Sequence, residues 1–325
     1  MPLVTARANA ASIGYLNGRK KLPYMWVVGT TGGDIYTSTS TTFANGSFTL
    51  RTTPLSGSVG IADIASNGKN LYVAVADSGN LITSPDGITW TSRTSSFGSN
   101  AITAVAYGNG YWVAVGAGGL AAYSSDGITW TQATTGMSAN PLKSVAWGNG
   151  LWVIGNGVGA MATATDPAGT WTARTSTLTN IGDIHYFKGQ SIWVAGNDVG
   201  TTGALASSTD GLTWTARTSA VNYGSGQSGY AFFESNSTVL INYGYNGSLA
   251  YGFQSSTNGT TYTARTGAIT SGIILMNAAS DDAGFIVANG PQVTSNGTSW
   301  TSRNDPAASG VSIAICHSSG KPSIR

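Results

Sequence analysis

Carboxylates, arginines, histidines and aromatic rings are the groups in this chain that could do chemistry, and most of them recur at fixed spacing. Asp86 stands in SPDGITWT, Asp126 in SSDGITWT and Asp210 in STDGLTWT, ahead of Trp90, Trp130 and Trp214. Asp166 precedes Trp171 in TDPAGTWT, and weaker copies place Tyr262 in STNGTTYT, Trp300 in SNGTSWT and Phe48 in FANGSFTL. Arg51, Arg93, Arg174, Arg217, Arg265 and Arg303 follow the box at one position, with Ala133 as the exception. Cleavage of a glycosidic bond generally needs two carboxyl groups held close together. Here Glu234 is the one glutamate, and most of the twelve aspartates lie in boxes or beside glycine, where turn formation explains them. No nucleotide-binding loop, HExxH or Ser-His-Asp signature is present. The chain is therefore expected not to be an enzyme, with no catalytic residue, no bound metal and no cofactor.

A residue type that returns in every period belongs to an array before it belongs to a site. The aromatic residues of the seven boxes are separated by 42, 40, 41, 43, 48 and 38 residues, the length of one four-stranded propeller blade. The parts of one period are legible between Ala101 and Thr134. ITAVAYGNG alternates and ends in an Asn-Gly turn, as an inner strand and hairpin should. YWVAVG is a β-branched and aromatic run suited to a strand buried on both faces. LAAYSS supplies a third strand, and Asp126-Gly127 turns into a fourth, ITWTQAT. His185 and His317 fall on first strands, which line the centre of such a disc, and a satisfied strand histidine is the expected role of each. The arginines fall on fourth strands at the outer rim, so stacking or local pairing is expected of them.

The fold class that follows is all-β: a seven-bladed propeller of four-stranded antiparallel blades, forming one domain over residues 1–325. A ring closes best when its two ends share a blade, because closure removes the open edges of the sheets. Two segments compete for that inner position, ASIGYLNG from Ala11 and VSIAICHSSG from Val311. Residues 1–20 and 311–325 are thus expected to take part in closure or docking.

Composition removes several classes of function. Only 9% of residues are charged and the formal net charge is +2, so binding of nucleic acid through its phosphates has little support. The single cysteine, Cys316, excludes an intramolecular disulfide and a cysteine-based zinc cluster. MPLVTARANAAS lacks the apolar centre of a signal peptide, and no apolar run is long enough to insert in a membrane.

The box resembles the Asp-box of sialidase-like (BNR) propellers, Ser-x-Asp-x-Gly-x-Thr-Trp, which sits on the turn between the third and fourth strands of a blade. Ser84, Asp86, Gly87, Thr89 and Trp90 match it with one residue fewer between Asp and Gly, whereas Asp166 and Trp171 keep the family's separation. The resemblance implies a folding device in which Asp satisfies turn N–H groups, Gly supplies a positive φ and Trp seals the gap between blades. Relatives include glycosidases, but sialidase chemistry implies a tyrosine nucleophile with an acidic partner and an arginine cluster. Together with the opening TARANAASIGYLNG, the array is similar to bacteriophage tail and tail-fibre proteins.

Function is expected where the repeat departs from itself. The longest interval, Trp214 to Tyr262, holds two insertions, SAVNYGSGQSGY and NYGYNGSLAYGF. Connections from fourth to first and from second to third strands leave the same face, so both insertions share it. They concentrate Tyr223, Tyr230, Tyr243, Tyr245, Tyr251 and Phe253 among Gly, Ser and Asn, a composition suited to adaptable contact surfaces and to stacking on sugars. The expected function is that of a virion protein of the tail or fibre, assembled in the host cytoplasm, which binds a host surface glycan or protein and other virion proteins. A structural virion protein that docks through the Asp-box face, and a sialidase-like glycosidase, are the alternatives.

Overall fold

In a computed structural model the protein is described at residues 15–16, 19–20, 25–39, 48–57, 59–137, 139–197, 204–220, 231–235, 238–242, 253–265, 278–280, 286–288, 292–294, 301–302 and 312–317. Apart from a short hairpin of Tyr15–Leu16 with Arg19–Lys20, the described strands pair into four-stranded antiparallel sheets. Sheet 1 takes Ser312–His317, Trp26–Thr30, Ile35–Ser38 and Thr49–Arg51 in that order. Sheet 2 runs Ile61–Ser66, Tyr72–Ala76, Leu81–Ser84 and Thr91–Arg93, and sheet 3 runs Ile102–Gly108, Tyr111–Gly116, Ala121–Ser124 and Thr131–Ala133. Sheet 4 is Leu142–Gly148, Leu151–Asn156, Ala160–Ala164 and Thr172–Thr175, and sheet 5 is Asp183–Phe187, Ile192–Gly196, Leu205–Ser208 and Thr215–Arg217. Sheet 6 is Ala231–Ser235, Thr238–Asn242, Phe253–Ser256 and Thr263–Arg265, and sheet 7 is Ala278–Ser280, Ile286–Ala288, Gln292–Thr294 and Thr301–Ser302.

Burial follows the apolar pattern of each strand. WVVGT, YVAVA and IWVAG are buried at every residue, so these second strands are covered on both faces. The fourth strands TSR, TQA and TAR expose two residues and half-bury the third, which puts them at the periphery. The first strand of each sheet lies against the first strand of the next, and that of sheet 1 touches those of sheets 2 and 7. Register shifts between Ile61 and Asp63, Ile102 and Ala104, and Leu142 and Ser144 place a bulge early in the first strands of sheets 2, 3 and 4. The bulged Thr103 uses its hydroxyl to reach the Leu142 carbonyl of the next sheet, at 2.6 Å.

Which end supplies the inner strand of sheet 1 is settled by pairing. Ser312–His317 lies antiparallel to Trp26–Thr30, with Val28 opposite Ile315, while Tyr15 and Leu16 pair only with Lys20 and Arg19. Both competing segments alternate in hydropathy, so their patterns alone could not rank them.

The core lies between sheets. Trp90 packs with Met25, Val27 and Ile35 of sheet 1, Trp130 with Val73, Val75 and Leu81 of sheet 2, and Trp214 with Val153 and Met161 of sheet 4. Trp171 packs likewise with Val113 and Val115 of sheet 3, so these four box indoles close the seam with the preceding sheet. Turns obey the same logic: Asn109-Gly110 and Asn149-Gly150 have φ of 49° and 83°, and 47° and 77°, the positive pair that a two-residue hairpin requires.

Box glycines carry a second constraint. Gly127 has φ of 74°, and a Cβ there would sit 2.5 Å from Leu71 Cδ2, whereas Gly110 has nothing within 4 Å. Gly110→Ala should cost about 1–2 kcal/mol, for the left-handed backbone alone. Gly127→Ala should cost about 2–4 kcal/mol, because overpacking of the seam is added. Denaturant midpoints at unchanged m-value measure both; equal losses would mean that the seam yields to a methyl group.

Candidate functional site

The boxes are closed systems of hydrogen bonds. In sheet 2, the N–H groups of Ile88 and Thr89 each donate to Asp86 Oδ1 at 2.8 Å, Ser84 Oγ donates to the same oxygen at 3.0 Å, and the Gly87 N–H donates to Ser84 Oγ at 2.7 Å. Trp90 Nε1 then donates to the Gly87 carbonyl at 3.0 Å. Asp126 and Asp210 repeat this with Ile128 and Thr129, and with Leu212 and Thr213, at 2.8–2.9 Å. The Thr129 N–H holds the Asp126 carboxyl below the ordinary range against a smaller opposing effect of burial, and the Thr213 and Leu212 N–H groups do the same for Asp210.

The degraded copies keep the function of each part. Asn258 Oδ1 accepts from Thr260 and Thr261 N–H at 2.9 Å, and the Tyr262 hydroxyl donates to the Gly259 carbonyl at 2.7 Å where indoles donate elsewhere. Burial pushes the Tyr262 phenol up, while Arg217 pulls it slightly down. In the longer copy Asp166 Oδ1 accepts from Ala168 N–H at 2.9 Å, and Trp171 Nε1 finds the Pro167 carbonyl at 3.2 Å. Trp300 lies outside the described residues.

The recurrent arginines pair locally. Nε of Arg51, Arg93, Arg174 and Arg217 donates to Thr37, Thr83, Thr163 and Ser207 hydroxyls on the third strand of the same sheet, at 2.7–3.0 Å. In sheet 3 both partners change together. Ala133 replaces the arginine and Tyr123 the hydroxyl residue, and the Tyr123 ring packs edge-on to Tyr111 at 6.3 Å. Arg303 and the side chain of Arg265 lie outside the described residues.

His185 is buried on the first strand of sheet 5, edge-on to Phe187 at 4.6 Å, and burial pushes its pKa down to about 3. It is neutral near pH 7 and packed as a core ring. His317 stands opposite Trp26 in sheet 1. Sequence patterns missed the polar ties between first strands. Val105 N–H donates to Asp63 Oδ2 at 2.9 Å, and Ser144 Oγ donates to Asp183 Oδ1 at 3.0 Å, each from one sheet to the next. Among the described residues no cluster of three or more His, Cys, Asp or Glu could hold a metal, and no helix is long and apolar enough to cross a membrane.

Tyr223, Tyr230, Tyr243, Tyr245 and Tyr251 lie outside the described residues, and Phe253 is described only as the first residue of a strand. What is described is the start of the first insertion, at the seam between sheets 5 and 6. An open groove of about 340 Å³ lies there, lined by Ala216–Ala220 and Thr260–Tyr262. Behind it Gln254, fully buried, takes the core position held by Ile82, Ala122, Ala162 and Ala206 in other sheets. Its Oε1 accepts from Ser219 Oγ at 3.1 Å and Ala220 N–H at 2.7 Å. Aligning the periods by their boxes would have exposed this residue as a departure; its partners, 34 and 35 residues away, would not have followed.

No protein-family model matches the chain, and a search of curated proteins finds no match. Solved structures are similar in fold. Streptogramin B lyase aligns with a TM-score of 0.65 at 9% identity, over 80% of this chain and 88% of its own. YCF48 bound to a D1 peptide aligns at 0.55 and 16%, over 74% and 80%, and the WD40 β-propeller domain of Doa1 at 0.58 and 10%, over 82% and 91%. The fold is thus that of a β-propeller repeat protein, a class that here includes an enzyme and a peptide-bound protein.

Two outcomes test the assigned roles. Asp126→Ala should lose about 1–2 kcal/mol of stability by stranding two turn N–H groups, while Asp126→Asn should be nearly neutral, since Asn258 already does this work; thermal unfolding compares them. For His185 the folded pKa lies below the unfolded value of about 6.5. The unfolded chain therefore binds the proton first, and stability falls as pH drops below about 6.5, by roughly 1 kcal/mol per pH unit, until the folded pKa is reached. His185→Leu should flatten that slope between about pH 4.5 and 6.5, above the range where carboxylates titrate, in denaturant titrations.

Proposed function

We propose that the chain is a seven-bladed propeller, closed through sheet 1, which serves as a non-enzymatic bacteriophage tail or tail-fibre protein. In this proposal it binds a host surface glycan or protein through the tyrosine-rich insertions of the interval from Trp214 to Tyr262. Support for closure comes from the first strands, which adjoin in cyclic order from sheet 1 through sheet 7 and back. Support for the site comes from one observation: the repeated box carboxylates Asp86, Asp126 and Asp210 are engaged by backbone N–H groups of their own turns, and the described arginines spend Nε on threonine and serine hydroxyls of their own sheets. The segments that depart from the repeat add aromatic and amide groups that these turns and strands do not use. The peptide carried by YCF48 is a precedent, in that protein, for ligand binding by this fold. Buried, neutral His185 adds nothing to an acid–base reading.

A second function is favoured by a different feature. Ile88, Ile128 and Leu212 occupy the same box position in sheets 2, 3 and 5 and are 46, 45 and 38% exposed, so one face of the array presents apolar turn tips in three copies. Docking of a structural virion protein through that face would cover them. The two functions separate in one experiment. Alanine at Tyr223, Tyr243 and Tyr245 together should abolish adsorption of particles to host cells while protein incorporation and thermal unfolding stay unchanged. Full adsorption by particles carrying the folded triple variant would refute the tyrosine site, and a capsid-bound or central position of the propeller in particle images would favour the structural function.

A further inference from the structure

Two departures from the repeat, Tyr262 and Gln254, meet at the seam between sheets 5 and 6, and at this seam the described residues leave an open groove. In the other described full boxes the seam is sealed by an indole; here the smaller phenol of Tyr262 stands in its place. At the seam between sheets 2 and 3, Ser96 Oγ donates to the Trp130 carbonyl at 2.8 Å and ties the chain leaving one sheet to the box of the next. Ala220, at that position after Arg217, has no hydroxyl to make such a tie, and Pro54 and Gly136 have none at theirs. The core position behind the groove carries Gln254 where Ile82, Ala122, Ala162 and Ala206 stand in other sheets. Beside these residues lies the space of about 340 Å³, the size of a small-molecule site.

The chemistry of the groove is one-sided. Arg217 spends Nε on Ser207 Oγ, and among the described residues no carboxylate lies within 4.0 Å of its guanidinium. Thr218, Ser219, Thr260 and Thr261 bring hydroxyls to the rim of the groove. The orientation of the Gln254 amide is fixed, because the Ala220 N–H can only donate and so must face Oε1. Its Nε2, fully buried, has no hydrogen-bond partner among the described residues. A buried donor without a partner is costly unless something supplies an acceptor. The groove thus offers a cation and hydroxyls, with no acid in its lining.

We propose that the seam between sheets 5 and 6 binds an acidic saccharide unit, its carboxylate facing Arg217 and its hydroxyls facing the threonines and serine of the groove. The terminal nitrogens of a guanidinium match a carboxylate in two parallel hydrogen bonds, and a ring of hydroxyls finds both donors and acceptors in Thr and Ser side chains. Ser219 and Ala220, the first two residues of the first insertion, line the groove, so the inference deepens the receptor-binding function proposed above and rests on it for the origin of the sugar.

Copying the seal of another seam is the test, because it fills the groove without removing a scaffold group. The variant Tyr262→Trp with Ala220→Ser rebuilds the seal found at the seam of Ser96 and Trp130. Titration of the intact chain with D-glucuronate, followed by ligand-observed NMR, should show saturable binding in the millimolar range. Binding of D-glucose, and binding of glucuronate to the double variant, should be weaker by about tenfold or more, with the unfolding midpoint of the variant not lowered. Should the double variant fail to fold, Arg217→Gln carries the same expectation. Undiminished glucuronate binding by either folded variant, glucose binding of equal strength, or no saturable binding to the unaltered chain would overturn the proposal. Particle adsorption keeps the two functions apart. Adsorption retained by the double variant but lost with the tyrosine triple variant would overturn the groove as the receptor subsite and leave the tyrosine face standing. Adsorption retained by the triple variant would refute that face, while the titration would still decide the groove.

Discussion

A sheet whose second strand is apolar on both faces cannot stand alone, and that constraint governs this protein. WVVGT, YVAVA and IWVAG each need cover on two sides, so every sheet depends on two neighbours. The box aromatic is the local answer. Its ring fills the seam with the preceding sheet, and its polar edge is anchored to a carbonyl of its own turn, so the ring is aimed as well as buried. The aspartate has the complementary task of holding the turn that carries the ring. The two kinds of residue act as one part, which is why they recur together and degrade together.

The same economy explains the arginines. The guanidinium at the rim of sheets 1, 2, 4 and 5 is useful here for its Nε bond across two strands, and the support is sheet 3, where, among the described arginine positions, the bond is abandoned. Losing the arginine at Ala133 without changing Thr or Ser opposite would leave a hydroxyl without its donor. Instead a tyrosine fills the space and rests against Tyr111. Paired change inside one chain identifies an interaction without comparison to any other sequence.

Much of the fold was legible because an array states each fact several times. The strand pattern, the Asn-Gly turns and the box could be read in one period and checked in the next. The rest was hidden for physical reasons. Closure of sheet 1 required a choice between two alternating segments at opposite ends, and alternation reports burial of a face without naming a partner. The ties from Asp63 to Val105 and from Ser144 to Asp183 join residues about one period apart and occur at selected seams, so they leave no periodic trace. Gln254 was legible as an oddity, but its meaning came only with Ser219 and Ala220 in contact. At the site the sequence located the interval and its composition, while the groove is formed by Ala216–Ala220 and Thr260–Tyr262 across a seam between two sheets, a contact that spacing does not register.

The pairing of Ser312–His317 with Trp26–Thr30 also sets a schedule. Sheets 2 to 5 are each built from a contiguous stretch of chain and can form as they leave the ribosome, neighbour upon neighbour. Sheet 1 cannot, for its first and second strands come from distant parts of the chain. Until they meet, Trp26–Thr30 presents an unpaired edge, the kind of surface that captures a strand from another chain. Their pairing spans the longest separation among the described strand pairs, and loop-closure cost makes contacts of that kind the late ones.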